Sequence, residues 1–308
     1  MRLATSAVLM LGQTRRALVL AASLVACCGP ALAADAKPLA ARIAHLDPSK
    51  YHVAESAHEG AGTLSMEVLL PAEALSTNFL FLHRGQLNAR SSIGQHMHNR
   101  TEEMFFILDG QAQFTVNGRT SVLKGPVGVP DRAGNAHALY NPGDTPVQWL
   151  NFGVGLAKVN EAVNLGDPHT DAALDKIPQF IYARLDRALL RPVQNRDGGE
   201  GEVLYRRAVP PAVFLSNWSY VDHMIITQGA RTGPSTLPAM SEVYYVLSGE
   251  GSIALNGETA PLKAGDAVAV DVGETKALTG GPDGLELVAF GVARDAATKE
   301  ALMDQPPR

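Results

Sequence analysis

One stretch of the sequence occurs twice, and the two copies keep nearly constant spacing. EEMFFILDGQAQFTVNG, which begins at Glu102, returns as SEVYYVLSGEGSIALNG, which begins at Ser241. The separation in sequence is the same for Glu103 and Glu242, Gly110 and Gly249, Gly118 and Gly257, and Leu123 and Leu262, and it is shorter by a single position for Phe152 and Phe290. A repeat of this length in a chain of 308 residues indicates two similar domains in tandem.

Both copies consist of short apolar runs that end at glycine, proline or asparagine. In the first copy these runs are LSMEVLL, NFLFLHRG, MFFILDG, QAQFTVNG, VGVP and VQWLNFGVG. Short runs at this spacing are typical of an all-β sandwich or barrel, and the 29 glycines and 19 prolines suit its many turns. Asn117-Gly118 predicts a tight hairpin, because both residue types tolerate a positive φ.

The composition changes along the chain predict the domain boundaries. They are a signal peptide at 1–33, an N-terminal arm at 34–60, a first β-barrel at 61–156, a linker at 157–201, a second β-barrel at 202–295 and a C-terminal tail at 296–308. In the linker, HTDAALDKIPQFIYARLDRALLRPV has apolar residues at roughly helical spacing. This spacing predicts short helices, with a start near Asp171 and an interruption at Pro178.

The N-terminus has the pattern of an export signal. Arg15 and Arg16 precede the apolar run 17–26, and an A-x-A cleavage site follows at 31–33. We expect an exported protein, periplasmic or secreted. A membrane-anchored lipoprotein with Cys27 as the lipid acceptor is the alternative. Cys27 and Cys28 are the two cysteines of the chain, so the predicted barrels have no disulfide or thiolate ligand.

Charge excludes one class of partner. The formal net charge is −5 and the sequence has no run of lysines and arginines, so we expect no nucleic acid to bind. A small-molecule ligand is the expected partner, and a homodimer formed through edge strands remains open.

Four residues of the first domain have the types and spacing of a metal site. His96 and His98 are separated by a single residue, so on a strand both imidazoles point to the same face. Glu103 follows on the next run, and His137 lies in VPDRAGNAHALYN. Three imidazoles and one carboxylate suit one divalent transition metal, with Fe, Mn, Cu, Ni and Zn all open.

These residues also carry a resemblance to a known family. HxH-x4-E-x6-G from His96, followed by P-x3-G-x2-H-x3-N from Pro130, resembles the two signature motifs of the cupin superfamily. The resemblance implies jelly-roll β-barrels, and with the duplication it implies a bicupin. It also implies a metal site formed by His96, His98, Glu103 and His137.

The second copy has lost these ligands. Ser235 and Leu237 stand where the first copy has its two spaced histidines, and Lys276 stands in place of His137. Only the glutamate is kept, as Glu242. We therefore predict metal in the N-terminal barrel alone. We expect Lys276 to pair with Glu242, and the second barrel to serve packing and assembly or to bind an organic ligand.

Other polar and aromatic residues are weaker candidates. Phe105 and Ile107 share the strand face of the glutamate ligand and are candidates for the substrate pocket. The other two pocket candidates are Tyr140 and Gln148. Glu102 alternates to the opposite face, so we expect a surface charge there.

The predicted chemistry follows from the open positions of the metal. Four protein ligands around an octahedral ion leave two positions for small oxygen ligands. The arrangement loosely resembles exported bicupins of the flavonol dioxygenase type. We therefore expect a metal-dependent oxidoreductase, of dioxygenase type, for a small oxygenated or aromatic compound. A non-catalytic envelope protein that binds metal or a small ligand, and a cupin isomerase or lyase, remain as alternatives.

Overall fold

A computed structural model describes residues 37–303. The predicted signal peptide with Cys27 and the last five residues of the tail lie outside the described residues. In chain order, the strands are β1 (Ile43–Ala44), β2 (His52–Glu55), β3 (Thr63–Pro71), β4 (Phe79–Leu87), β5 (Ser92–Met97), β6 (Thr101–Ile107), β7 (Gln111–Val116), β8 (Arg119–Lys124), β9 (Val127–Asp131), β10 (Ala136–Tyr140), β11 (Val147–Gly155), β12 (Val163–Asn164), β13 (Ala183–Arg184), β14 (Arg191–Gln194), β15 (Glu202–Val209), β16 (Trp218–Ile226), β17 (Ser235–Thr236), β18 (Met240–Leu255), β19 (Glu258–Lys263), β20 (Ala267–Val270) and β21 (Thr275–Ala293).

Helical structure is sparse in the described part. The α-helices are α1 (Leu39–Arg42) and α2 (Ala296–Met303), and short 3₁₀ turns occur at Pro48–Lys50, Ala57–Glu59, Ala72–Ala74, Arg187–Leu189, Arg196–Gly198 and Pro211–Val213. None of these helices is long and apolar enough to cross a membrane.

The first barrel consists of two antiparallel sheets. One has seven strands in the order β13-β9-β6-β11-β4-β3-β2, and the other has five in the order β12-β5-β10-β7-β8. Apolar side chains between the sheets form its core, among them Phe105, Phe114 and Trp149. Alternation along each strand produces this core, because every second side chain points to the same face.

The second barrel repeats this arrangement with longer strands. β18 continues through the stretch that β6 and β7 cover in the first copy, and β21 does the same for β10 and β11. As a result, nine strands form one hydrogen-bonded sheet system that includes β1 from the arm. The prediction of an all-β protein with two tandem barrels is confirmed.

The hairpin turns of the two barrels correspond. Asn117 and Gly118 have φ of 49° and 74°, and Asn256 and Gly257 have φ of 50° and 91°. Two positive φ values in succession match the twist of the flanking strands. The hairpin predicted at Asn117-Gly118 is confirmed, and the repeat-related Asn256-Gly257 forms the same turn in the second barrel.

The two barrels share an apolar core. Phe152 and Phe290, the repeat-related pair, stack with ring centroids 4.1 Å apart, and Trp218 lies 4.9 Å from Phe152. Phe106 and Val243 belong to the same cluster. The outer face of β6 thus packs against the second barrel and is withheld from solvent.

This interface overturns the prediction for Glu102, which was expected at the surface. Its side chain is fully buried on the outer face of β6. The carboxylate accepts the backbone N–H of Leu215 at 2.8 Å and of Ser216 at 2.6 Å, both in the second barrel. Lys299 of α2 donates to the carbonyl oxygens of Phe214 and Ser216 on the same turn. Alternation identified the outer face correctly but could not show that another barrel covers it.

A substitution tests the buried bridging role of Glu102. We expect Glu102→Ala to lower the free energy of unfolding by about 1–3 kcal/mol, because two buried N–H donors lose their acceptor. The matched control is Glu55→Ala on the exposed face of β2, for which a change within about 0.5 kcal/mol is expected. Urea unfolding of both variants measures the difference, and equal small effects would contradict the bridging role.

The linker runs along sheet edges. The helical spacing near Asp171 does not form a helix, and the linker's helical turns in the described chain are the two 3₁₀ turns between 187 and 198. Instead, β12 pairs with β5, β13 with β9 and β14 with β15. Prolines at 168, 178 and 192 disfavour continuous helix, and edge pairing satisfies the extended backbone.

The arm contacts both barrels. Ile43 and Ala44 pair with β20 of the second barrel, and Leu39 lies in that barrel's core. The chain then crosses to the first barrel, where β2 pairs with β3 and the turn at 57–59 packs beside β5. The arm therefore places the turn at 57–59 against β5 of the first barrel.

Candidate metal centre

The structure brings the four predicted ligands together inside the first barrel. His96 is on β5, His98 follows it, Glu103 is on β6 and His137 is on β10, directly opposite His96 in the β5–β10 pair. One ligand atom from each lies within 4.8 Å of the others, and all four side chains are buried. The adjacent strands β5 and β10 bring the histidines together, and β6 of the other sheet brings Glu103 to the same point.

Hydrogen bonds set the direction of three of these groups. His96 Nδ1 contacts Gly94 O at 2.8 Å, and His98 Nδ1 contacts the carbonyl oxygen of Glu161 in the linker. Each contact leaves the Nε2 of that ring directed into the site. Asn151 donates to Glu103 Oε2 at 3.0 Å.

The donor set fits a divalent cation. His98 Nε2 lies 3.3 Å from Glu103 Oε1, and His137 Nε2 lies 3.9 Å from Glu103 Oε2. The Nε2 atoms of His98 and His137 are buried without a hydrogen-bond partner in the described chain. Buried polar atoms are normally satisfied, and an ion shared by the four groups would satisfy these two nitrogens. Imidazole and carboxylate together suit first-row transition metals.

Burial also favours the protonation state that a ligand needs. Desolvation, with His58 and His98 nearby, lowers the pKa of His96 to about 3. Burial and the neighbouring imidazoles lower the pKa of His137 well below its ordinary value. Both rings are therefore neutral near pH 7 and keep a lone pair for coordination.

Two further residues beside the site were not singled out from the sequence. Asp131 on β9 is paired with Glu103 in register, and burial next to that carboxylate raises its pKa. His58, in the arm, stacks on His96 with ring centroids 3.7 Å apart, and its Nδ1 contacts Asn164 Oδ1 at 2.8 Å.

The position of the turn that carries His58 could have been found from the repeat. Gly60 and Gly62 are related to Gly199 and Gly201 by the same constant separation that relates the two barrels. A Cβ at Gly60 would lie 2.2 Å from Ser92 O, so only glycine lets this turn approach β5. The turn at 57–59 is therefore held against the ligand strand.

A cavity of about 320 Å³ opens beside the four groups. Its walls include the aromatic side chains of Phe81 and Trp149, and His98 and Glu103 contribute to its floor. His83 is also in the wall, stacked on Phe81 with centroids 4.1 Å apart, and burial lowers its pKa to about 4.

Of the four pocket candidates, Phe105 lines this cavity and the others do not. Ile107 is fully buried in the apolar core further along β6. Tyr140 lies at the far end of β10, opposite Ser92. Gln148 is on the outer face of β11 and lines a different cavity between the barrels. Strand alternation therefore agrees with the position of Phe105 in this cavity wall. The positions of the other three depend on how far along its strand each residue lies and on which face it is.

The corresponding point of the second barrel holds an ion pair. Lys276 Nζ lies 3.2 Å from Glu242 Oε2, and Tyr220 and Tyr244 donate to the same carboxylate at 2.7 and 2.5 Å. Ser235 pairs with Lys276 across β17 and β21, and the predicted Lys276–Glu242 contact is confirmed. An ammonium group occupies the place that a metal ion would need. Among residues 37–303, the group of side chains that could hold a metal ion is the one formed by His96, His98, Glu103 and His137.

We expect Glu242→Gln to leave the metal content of the purified protein unchanged. The reason is that Glu242 is already satisfied by an ammonium and two phenols, so it has no free oxygen for a cation. Inductively coupled plasma mass spectrometry of the wild type and the variant measures this. Loss of half the bound metal would show that the second barrel also binds an ion.

Comparisons with known proteins agree with this architecture. The family model for the cupin domain matches residues 84–153 and again 222–279. The oxalate-binding protein of Thermotoga maritima is 34% identical over 92 residues, which is 30% of this chain and 75% of that protein.

Solved structures show the same two-barrel fold. A salicylate 1,2-dioxygenase variant from Pseudoaminobacter salicylatoxidans, in complex with gentisate, aligns with a TM-score of 0.60 and 19% identity over 75% of this chain and 73% of that chain. The oxalate decarboxylase formate complex from Lactobacillus farciminis aligns at 0.58 and 14% identity over 82% and 86%. With one cupin match on each barrel, the chain belongs to the cupin superfamily and is a bicupin, whose N-terminal barrel carries the metal-type ligand set.

Proposed function

We propose that this bicupin is a metal-dependent oxidoreductase, of dioxygenase type, that acts on a small hydroxylated aromatic compound. The observation that carries the proposal is the junction between the ligand cluster and the cavity. His98 and Glu103 belong to both, so a molecule in the cavity directly contacts metal-binding side chains. A closed structural site would be sealed from any such cavity.

The cavity's size and walls suit one aromatic ring. Its volume of about 320 Å³ is at the small end of the range for ligand pockets. Phe105 and Trp149, with ring centroids 5.8 Å apart, provide flat apolar surfaces on one side. Phe81 and the neutral His83 extend this surface. A planar ring can pack between these walls with its polar edge toward Glu103.

Two unpaired polar atoms in the cavity wall indicate what that edge carries. Asn151 Oδ1 and Trp149 Nε1 are buried and have no hydrogen-bond partner in the described chain. Buried polar groups usually have partners, so a ligand with both a donor and an acceptor fits here. A phenolic hydroxyl offers both. Asn151 also donates to Glu103, so it connects ligand binding to the position of that carboxylate.

The roles of the protein groups follow from this geometry. A bound divalent metal would supply Lewis-acid or redox chemistry at the cavity floor. The protein orients the substrate ring, excludes water with its apolar walls, and keeps His96 and His137 neutral for ligation. The raised pKa of Asp131 lets its carboxyl hold a proton beside Glu103. The fold shared with a gentisate-bound salicylate 1,2-dioxygenase supports a substrate of this class.

A second candidate is a binding protein without turnover. The 34% identity to an oxalate-binding protein favours it, because that match spans 75% of the relative. In this case the metal would hold a small chelating carboxylate, and the cavity would need no oxidisable ring.

Oxygen consumption separates the two candidates. The protein, loaded in turn with Fe(II), Mn(II) or Cu(II), is incubated with gentisate, catechol, a flavonol or oxalate in an oxygen electrode. We expect uptake with one metal and at least one aromatic compound, and none for His98→Ala. Stoichiometric metal binding and saturable oxalate binding, with no uptake under any condition, would replace the first candidate with the second.

We further propose that the protein acts outside the cytoplasm. The arginine pair, the apolar run and the A-x-A site at residues 31–33 support this. N-terminal sequencing of the protein from fractionated cells tests it. A chain that begins at Ala34 would show export with cleavage, and a lipid-modified Cys27 would show the anchored alternative.

A further inference from the structure

A cavity of about 870 Å³ lies between the two barrels, and it shares no lining residue with the cavity beside the metal centre. Its apolar walls include two repeat-related pairs, Leu46 with Leu185 and Leu108 with Leu247. The duplication therefore formed this cleft with nearly equivalent halves. Cavities at domain interfaces with apolar walls and few polar groups are common ligand sites.

On the second barrel's side of the cleft, the carboxylate of Glu286 has hydrogen-bond and ion-pair partners. His223 Nε2 contacts Glu286 Oε1 at 2.8 Å, and Arg187 and Ser248 donate to Glu286 Oε2. Burial alone would raise the pKa of Glu286, but these partners outweigh it and lower that pKa to about 2. The Glu286 carboxylate is therefore ionised across the neutral range, and a cation accompanies it.

On the first barrel's side of the cleft, the position equivalent to Glu286 does not carry a carboxylate. By the repeat, Arg84 corresponds to His223, and Gln148 corresponds to Glu286 in the same frame as Phe152 and Phe290. The first half thus has a permanent cation, whereas the carboxylate is replaced by a neutral amide. Gln148 donates to Gln86 Oε1 at 3.3 Å and offers Arg84 no negative charge.

Within residues 37–303, Arg84 is consequently a buried cation with no carboxylate partner. It is 6% exposed, and its guanidinium donates to Tyr245 Oη at 3.0 Å and to Trp149 O at 3.2 Å. All of its acceptors are neutral, and no carboxylate of the described chain makes a salt bridge with it. A buried charge of this kind is normally paired, because desolvation is costly.

Two acids, Asp109 and Asp186, also line the cleft, and among the described residues neither forms a salt bridge with Arg84. Asp109 accepts the backbone N–H of Gln148 at 2.9 Å, and Asp186 accepts that of Ala188 at 2.9 Å. The cleft also has the cations Lys124 and Arg184 on its lining. An anion that enters the cleft can therefore pair with the guanidinium of Arg84, beside apolar side chains of the lining.

We propose that the inter-barrel cleft binds a small organic carboxylate with an apolar body. Its carboxylate pairs with the guanidinium of Arg84, in the place that Glu286 takes beside His223 in the other half. Its apolar part packs between Leu108 and Leu247. The cleft is thus a second ligand site, chemically independent of the metal centre in the first barrel.

Benzoate is the probe, because it has one carboxylate and one apolar ring. Isothermal titration of the purified protein with benzoate is expected to show one saturable site that survives in His98→Ala, which removes a predicted metal ligand and leaves the cleft intact. A crystal soaked with 4-iodobenzoate is expected to show anomalous iodine density between the barrels. No saturable binding, or iodine only in the cavity of either barrel, would overturn the proposal.

Gln148→Glu provides the sharper test. The new carboxylate occupies the position of Glu286 in the repeat, so it should pair with Arg84 and keep the fold intact. We expect benzoate affinity to fall at least about tenfold, since the ligand must now displace an internal anion. The control Gln179→Glu adds the same charge at an exposed linker position and should bind as the wild type does. Equal affinity of the two variants would contradict a site at Arg84.

Discussion

His98→Ala is expected to abolish metal binding by the first barrel and to leave the chain folded. The substitution removes one of the four predicted ligands, whose ring the linker positions through Glu161. Loss of a group that only orients a ligand typically costs about 10–100-fold in metal affinity, so loss of the ligand itself should cost more. The barrel core is formed by apolar side chains on both sheets and does not depend on the ion.

Metal content and circular dichroism of the purified variant measure these two outcomes. His83→Ala is the matched control, because His83 is a histidine in the same cavity wall and is not one of the four ligands. We expect the control to keep its metal. Stoichiometric metal in His98→Ala would contradict the ligand assignment, and unfolding of this variant at room temperature would make the ion structural.

Phe152→Ala is expected to lower the free energy of unfolding by about 3–5 kcal/mol. Phe152 is fully buried where the barrels meet, and its ring lies 5.2 Å from Phe79, 4.1 Å from Phe290 and 4.9 Å from Trp218. Removal of this ring leaves a cavity among aromatic side chains on a rigid sheet face. The loss is a large share of the total stability of an ordinary domain.

Equilibrium unfolding in urea measures this loss, with Phe180→Ala as the control. Phe180 is a linker phenylalanine that packs half-buried against the first barrel, so its truncation should cost clearly less. We also expect folded Phe152→Ala to keep its metal, because Phe152 belongs to the inter-barrel core and not to the ligand cluster. Equal costs for the two substitutions would mean that the inter-barrel core contributes little to stability.

Much of this molecule follows from periodicity in the sequence. The repeat determined two barrels, the asparagine-glycine pairs determined both hairpins, and the alternate spacing of His96 and His98 placed both rings on one strand face. The same alignment showed that Lys276 replaces a ligand next to Glu242. These inferences succeed because a strand's alternation and a tight turn's φ values are local properties of the chain.

The placement of other residues was decided by tertiary structure alone. Alternation assigned Glu102 to an outer face, but packing of the two barrels made it a buried bridge and made Gln148 part of a cleft. The linker's apolar spacing predicted helices, whereas two of its segments form short strands that pair with the sheet edges at β5 and β9. His58 reaches His96 because the arm folds back over β5. Each case depends on which distant surface covers a segment, and local pattern carries no information about that surface.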